Sequence, residues 1–116
     1  NDLLLEGSSV DYKEALETKK PRSWLKSVSA FANSFGGHIV FGVHDNPREV
    51  CGLNNPQEVI SKITELIKAR IDPTPRYQLH SFAEDDKICI DLEIQNGLTY
   101  PYYGTYRFYK NKSNIK

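Results

Sequence analysis

The stretch from Trp24 to Val43 constrains this chain more than any other. Trp24, Leu25, Val28, Phe31, Ala32 and Phe35 recur at helical spacing, so one face of a helix is apolar. Gly36-Gly37 stops that helix, because paired glycines admit the left-handed backbone that L side chains avoid. The run Ile39 to Val43 follows at once and predicts a central strand buried on both faces. A helix feeding directly into a buried strand requires a layered domain with helices on a sheet.

The flanking segments extend this pattern. Val10-Asp11-Tyr12-Lys13 alternates and predicts a short strand, with Val10 and Tyr12 inward and Asp11 and Lys13 together on the other face. Pro21 suits the first turn of the helix. Small Ala30 and Ala32 would let that helix lie close to the sheet. A second helix begins at Asn55-Pro56, with Glu58 placed for a capping box, and carries Val59, Ile60, Ile63, Leu66, Ile67 and Ile71. Pro73 and Pro75 end it. Glu49 to Leu53 pairs back briefly on the central strand. Tyr77–Phe82 and Lys87–Ile94 flank the acidic turn Glu84-Asp85-Asp86 as a hairpin, and Tyr100–Tyr109 forms a last extended segment. On the Lys87–Ile94 strand, Ile88, Ile90, Leu92 and Ile94 share one face and Cys89, Asp91 and Glu93 the other. The expected fold is α+β: a mixed, mostly antiparallel sheet with two helices packed on it.

A length of 116 residues is one domain, 1–116, with a single core. With no Met at the first position and a Lys in a polar stretch at the last, the chain is expected to be an N-terminal fragment of a longer protein. No apolar run reaches the roughly 18 residues of a membrane span, and no signal-like start is present. Cys51 and Cys89 are far apart, and three scattered histidines supply no ligand spacing, which excludes a structural zinc site and a disulfide framework. Two free thiols fit a cytoplasmic location. The 15 basic and 15 acidic residues cancel, so nucleic acid would have to bind a local patch.

Three segments taken together are specific: Glu6-Gly7-Ser8-Ser9-Val10-Asp11-Tyr12-Lys13, then Val28-Ser29-Ala30-Phe31-Ala32-Asn33-Ser34-Phe35-Gly36-Gly37, then Val40-Phe41-Gly42-Val43-His44-Asp45. Val50-Cys51-Gly52-Leu53 follows after a short turn. This series resembles the Schlafen AlbA-like domain family, with its E-x4-E-F-K, A-F-A-N-x-x-G-G, G-V-x-D and V-x-G-L elements. The resemblance covers nearly the whole chain. It implies a nucleic-acid-associated domain, of the kind found in transcriptional regulators and helicase-related proteins. Some Schlafen proteins are metal-dependent endoribonucleases, and their three carboxylates correspond to Glu6, Asp11 and Asp45. The second is aspartate where the family pattern has glutamate. Such a site would take Mg²⁺ or Mn²⁺ through hard oxygen ligands. The family's older label as a divergent ATPase finds no G-x-x-x-x-G-K-[ST] here, so ATP hydrolysis is not supported.

Two basic regions point to phosphate contacts. Lys13, Lys19, Lys20, Arg22 and Lys26 surround the first helix turn, diluted by Glu14 and Glu17. The tail after Glu93 has no acid and carries Arg107 and Lys110 among tyrosines. His44, beside Asp45, could assist at a carboxylate site, and Cys89 reads as packing. The favoured reading is DNA or RNA binding through Lys13, Lys19, Lys20, Arg22, Arg107 and Lys110. The alternatives are the carboxylate endoribonuclease and a dimerisation or protein-interaction module.

Overall fold

A computed structural model of the chain describes residues 9–97 and 110–111. The elements are β1 (Val10–Lys13), α1 (Arg22–Ala32), β2 (Gly37–Phe41), β3 (Val43–His44), β4 (Glu49–Val50), α2 (Pro56–Arg70), β5 (Ile71–Asp72), β6 (Tyr77–Glu84), β7 (Lys87–Ile94) and β8 (Lys110–Asn111). Four strands form the main sheet in the order β1-β2-β7-β6. The β1–β2 pair is parallel and the other two pairs are antiparallel. A parallel pair needs a crossover connection, and α1 supplies it. The α+β expectation therefore holds, mixed sheet included.

Alternation along the strands splits the residues between two faces. On the helix side, Ile39 and Phe41 of β2 and Ile90, Leu92 and Ile94 of β7 meet Trp24, Leu25, Val28 and Ala32 of α1 and Ile63 and Ile67 of α2. Trp24 stands edge-on to Phe41, with ring centroids 5.7 Å apart, and its indole N–H donates to the Glu17 carbonyl at 3.0 Å. On the opposite face Val40, Val43 and Cys89 form a smaller cluster that Val10, Tyr12, Val50 and Phe82 complete. Burial raises the pKa of the Cys89 thiol, which suits a packing role.

Several local expectations change. Phe35 does not join the helix stripe, because α1 ends at Ala32 and the chain turns through Asn33–Gly36, leaving Phe35 88% exposed. Ala32 is buried but Ala30 points outward. The apolar run Ile39–Val43 is not one strand. Gly42, at φ +104°, breaks it, and Val43–His44 pairs instead with Glu49–Val50. Asn55 caps α2 by position only; its backbone lies off the extended geometry that aims a cap side chain, and it makes no side-chain cap bond. The hairpin turn is tight, with Asp85 and Asp86 both at positive φ. Ile71, read as the end of the helical stripe, begins β5, which pairs with β8. The predicted segment Tyr100–Tyr109 lies outside the described residues.

Gly37 has a packing duty beyond the turn. A Cβ there would lie 2.7 Å from the Phe31 ring, so its absence lets the end of α1 close onto the start of β2.

Candidate nucleic-acid interface

The connector after β1 and the first turns of α1 hold the basic patch. Lys19 and Lys20 are exposed before the helix, and Arg22 and Lys26 are exposed one turn apart on a single helix face. None of the four has an ion-pair partner among the described residues. The amino end of α1 adds its own positive partial charge. Lys13, at the end of β1, is set apart from this group by a carboxylate, with Nζ 3.7 Å from Asp11 Oδ2. Lys110 lies on β8, whose backbone runs beside α1. Arg107 lies outside the described residues.

The predicted carboxylates are placed as follows. Glu6 lies outside the described residues. Asp11 turns toward the helix layer, where the Ser27 hydroxyl donates to its Oδ2 at 2.9 Å. Asp45 is exposed in the β3–β4 turn, 3.8 Å from the Arg48 guanidinium, which lies 4.1 Å from the centroid of the Tyr12 ring. Tyr12 packs on the face away from the helices, so Asp11 and the Arg48–Asp45 pair belong to opposite sides of β1. Burial is the main cause of a raised Tyr12 pKa; Arg48 opposes it and Asp45 adds to it. Among the described residues no group of three or more His, Cys, Asp or Glu side chains could hold a metal ion. His44 is held by partners other than Asp45. Its Nδ1 lies 3.2 Å from Glu14 and its Nε2 3.1 Å from the Asn46 carbonyl. The hydrogen bond to Glu14 is the leading cause of a raised pKa.

A second polar group has no counterpart in the motif reading. Asp91 of β7 has no solvent exposure, yet both its oxygens lie within 3.1 Å of His38 Nδ1. Desolvation raises its pKa, and His38 partly opposes the shift. Glu93, two residues on along the same face, pairs with His80 at 3.1 Å. The signal that could have found this group is an acid midway along an apolar strand, beside a neighbouring strand that carries a histidine.

His38 and Glu93 also line a cleft of about 340 Å³ with Ser9, Phe35, Gly36 and Gly37. Gly36 needs its φ of +84°, and a Cβ there would lie 2.7 Å from the Ile94 carbonyl.

Two helices on a mixed four-stranded sheet, with the A-F-A-N and paired-glycine junction at its centre, define the class of domain. The Schlafen, AlbA_2 family matches residues 6–116, and the chain belongs to that family. It is 32% identical over 85 residues to an uncharacterized ATP-binding protein of Ureaplasma parvum, an alignment that covers 71% of this chain and 24% of the relative. The chain thus spans about a quarter of that relative's length. Its fold is similar to the N-terminal domain of a protein of Nitrosomonas europaea described as related to the ATP-dependent DNA helicase RecG. That match has a TM-score of 0.67 and 21% identity, over 92% of this chain and 86% of the other. It is also similar to the DIP2311 protein of Corynebacterium diphtheriae, with a TM-score of 0.57 and 18% identity, over 91% of this chain and 20% of that one. No helix among the described residues is long and apolar enough to cross a membrane.

Proposed function

We propose that this domain binds nucleic acid by its phosphates, as the N-terminal module of a larger cytoplasmic protein that acts in transcriptional regulation. One observation carries the reading: Lys19, Lys20, Arg22 and Lys26 form an exposed cationic patch at the amino end of α1, without carboxylate partners among the described residues. A net-neutral domain that gathers exposed cations, unpaired among the described residues, just before and within the first turns of one helix has a local footprint for a polyanion. Lys13, Arg107 and Lys110 are assigned to the same role. The RecG-related neighbour, whose name refers to a DNA helicase, supports the nucleic-acid class. The ATP-binding relative does not extend to ATP hydrolysis here, since the chain carries no P-loop. Sequence preference would come from another domain or from a homodimer.

Metal-dependent RNA cleavage through Glu6, Asp11 and Asp45 has less support. Asp11 already accepts from Ser27 and faces Lys13, and Asp45 faces Arg48. The deciding experiment incubates the protein with structured RNA, with and without Mn²⁺, beside Asp45→Ala, and reads products and gel shifts together. A salt-sensitive shift without cleavage supports binding. Metal-dependent cleavage lost in the variant would contradict it and make the carboxylates catalysts. Absence of both, with self-association in sedimentation, would leave an interaction module.

A further inference from the structure

Two departures from ordinary burial sit beside the same cleft. Phe35 presents a large apolar ring that is 88% exposed at its edge, and Asp91 is a fully buried carboxylate hydrogen-bonded to the His38 ring. Burying a carboxylate is unfavourable unless it is paired, and an apolar core residue at that position would pack without this penalty. What Asp91 achieves is orientation. With the carboxylate ionised, Nδ1 carries the shared proton, and Nε2 becomes an acceptor on a ring whose side chain lines the cleft. Departures of this kind concentrate where a structure serves a ligand.

The chemistry of the lining selects the ligand. Glu93 and Asp91 place carboxylates at or just beneath the cleft, which disfavours a phosphate. A flat heterocycle with amino donors on its edge fits instead: its face stacks on Phe35, and its edge meets acceptors on Glu93 and the Gln95 amide. The volume of about 340 Å³ falls at the small end of the range for small-molecule sites. We propose that the His38–Asp91 cleft receives one unstacked nucleobase bearing an exocyclic amino group, cytosine, adenine or guanine, from a single strand or from a free nucleotide. The single-strand source rests on the phosphate-binding reading above, and the site itself lies at the opposite end of α1 from the cationic patch.

The test is fluorescence anisotropy of the whole chain with a labelled ten-residue deoxycytidine strand and with an abasic strand of equal charge. The base-bearing strand should bind about tenfold more tightly, near the low end for stacking one base. Phe35→Ala, at an exposed position, should make the two strands equal, and Phe35→Trp should keep the preference. Equal binding of both strands by the unaltered protein would overturn the cleft and leave the phosphate reading intact. If neither strand binds, the phosphate reading fails for single strands, and titration with cytidine monophosphate decides the cleft. Amide shifts at Gly36, Gly37 and His38 would then assign it to a free nucleotide, and their absence would overturn it.

Discussion

His38 Nδ1 lies 3.0 Å from Oδ1 of Asp91, and that carboxylate has no exposure to solvent. The two residues come from neighbouring antiparallel strands, but they are not register partners: His38 lies opposite Glu93, and Asp91 opposite Val40. The contact is diagonal, within reach of a ring and a carboxylate on one sheet face.

Removing His38 should expose how Asp91 depends on it. In His38→Ala the carboxylate loses the imidazole hydrogen bond that opposes its desolvation, and desolvation already raises its pKa. A raised folded-state pKa means that stability is fully present below the ordinary aspartate value and is lost as pH rises through the folded value. The variant should therefore be close to the unaltered protein in acid and destabilised by about 3 kcal/mol at pH 7. Adding Asp91→Asn should restore most of that loss. Denaturant melts across pH 4 to 7 check this; a pH-independent deficit would mean lost packing instead.

His44 should titrate late. Its hydrogen bond to Glu14 favours the imidazolium and raises its pKa. Its stabilising contribution is therefore present below pH 6.5, the ordinary value, and is lost as pH rises through the folded value. Glu14→Gln should move the histidine's NMR titration back downward, and an unmoved curve would refute the assignment of cause.

Much of the fold is legible in the sequence, because hydrophobic period and turn chemistry act locally. The β6–β7 hairpin follows from alternation around Asp85-Asp86, and α2 from Pro56 and its isoleucine stripe. The misreadings fall where backbone geometry outweighs composition. Gly42 splits an apolar run that reads as continuous, and the turn after Ala32 removes Phe35 from a stripe it fits by spacing. The basic patch was visible as a charge cluster. The His38–Asp91 contact was not, since it joins residues 53 positions apart and depends on which strands become neighbours.

Gly36 should tolerate no side chain. Its φ of +84° and the Ile94 carbonyl 2.7 Å from an added Cβ oppose substitution independently. Gly36→Ala should cost more than about 1 kcal/mol. An unchanged midpoint in urea would show that the turn relaxes.

Trp24 should be the most sensitive core position on α1. It is fully buried, meets Phe41 edge-on and donates to Glu17. Trp24→Ala should cost about 3–5 kcal/mol, measured by chemical denaturation. A loss below about 1 kcal/mol would mean that the helix layer repacks freely.

The phosphate-binding claim is tested most directly by the salt dependence of affinity for a DNA duplex, for the unaltered protein beside Lys19→Ala/Lys20→Ala. The logarithm of the binding constant should fall linearly with the logarithm of salt concentration, and the double variant should bind more weakly with a slope shallower by about 2. A slope near zero, or one the double variant leaves unchanged, would contradict the account.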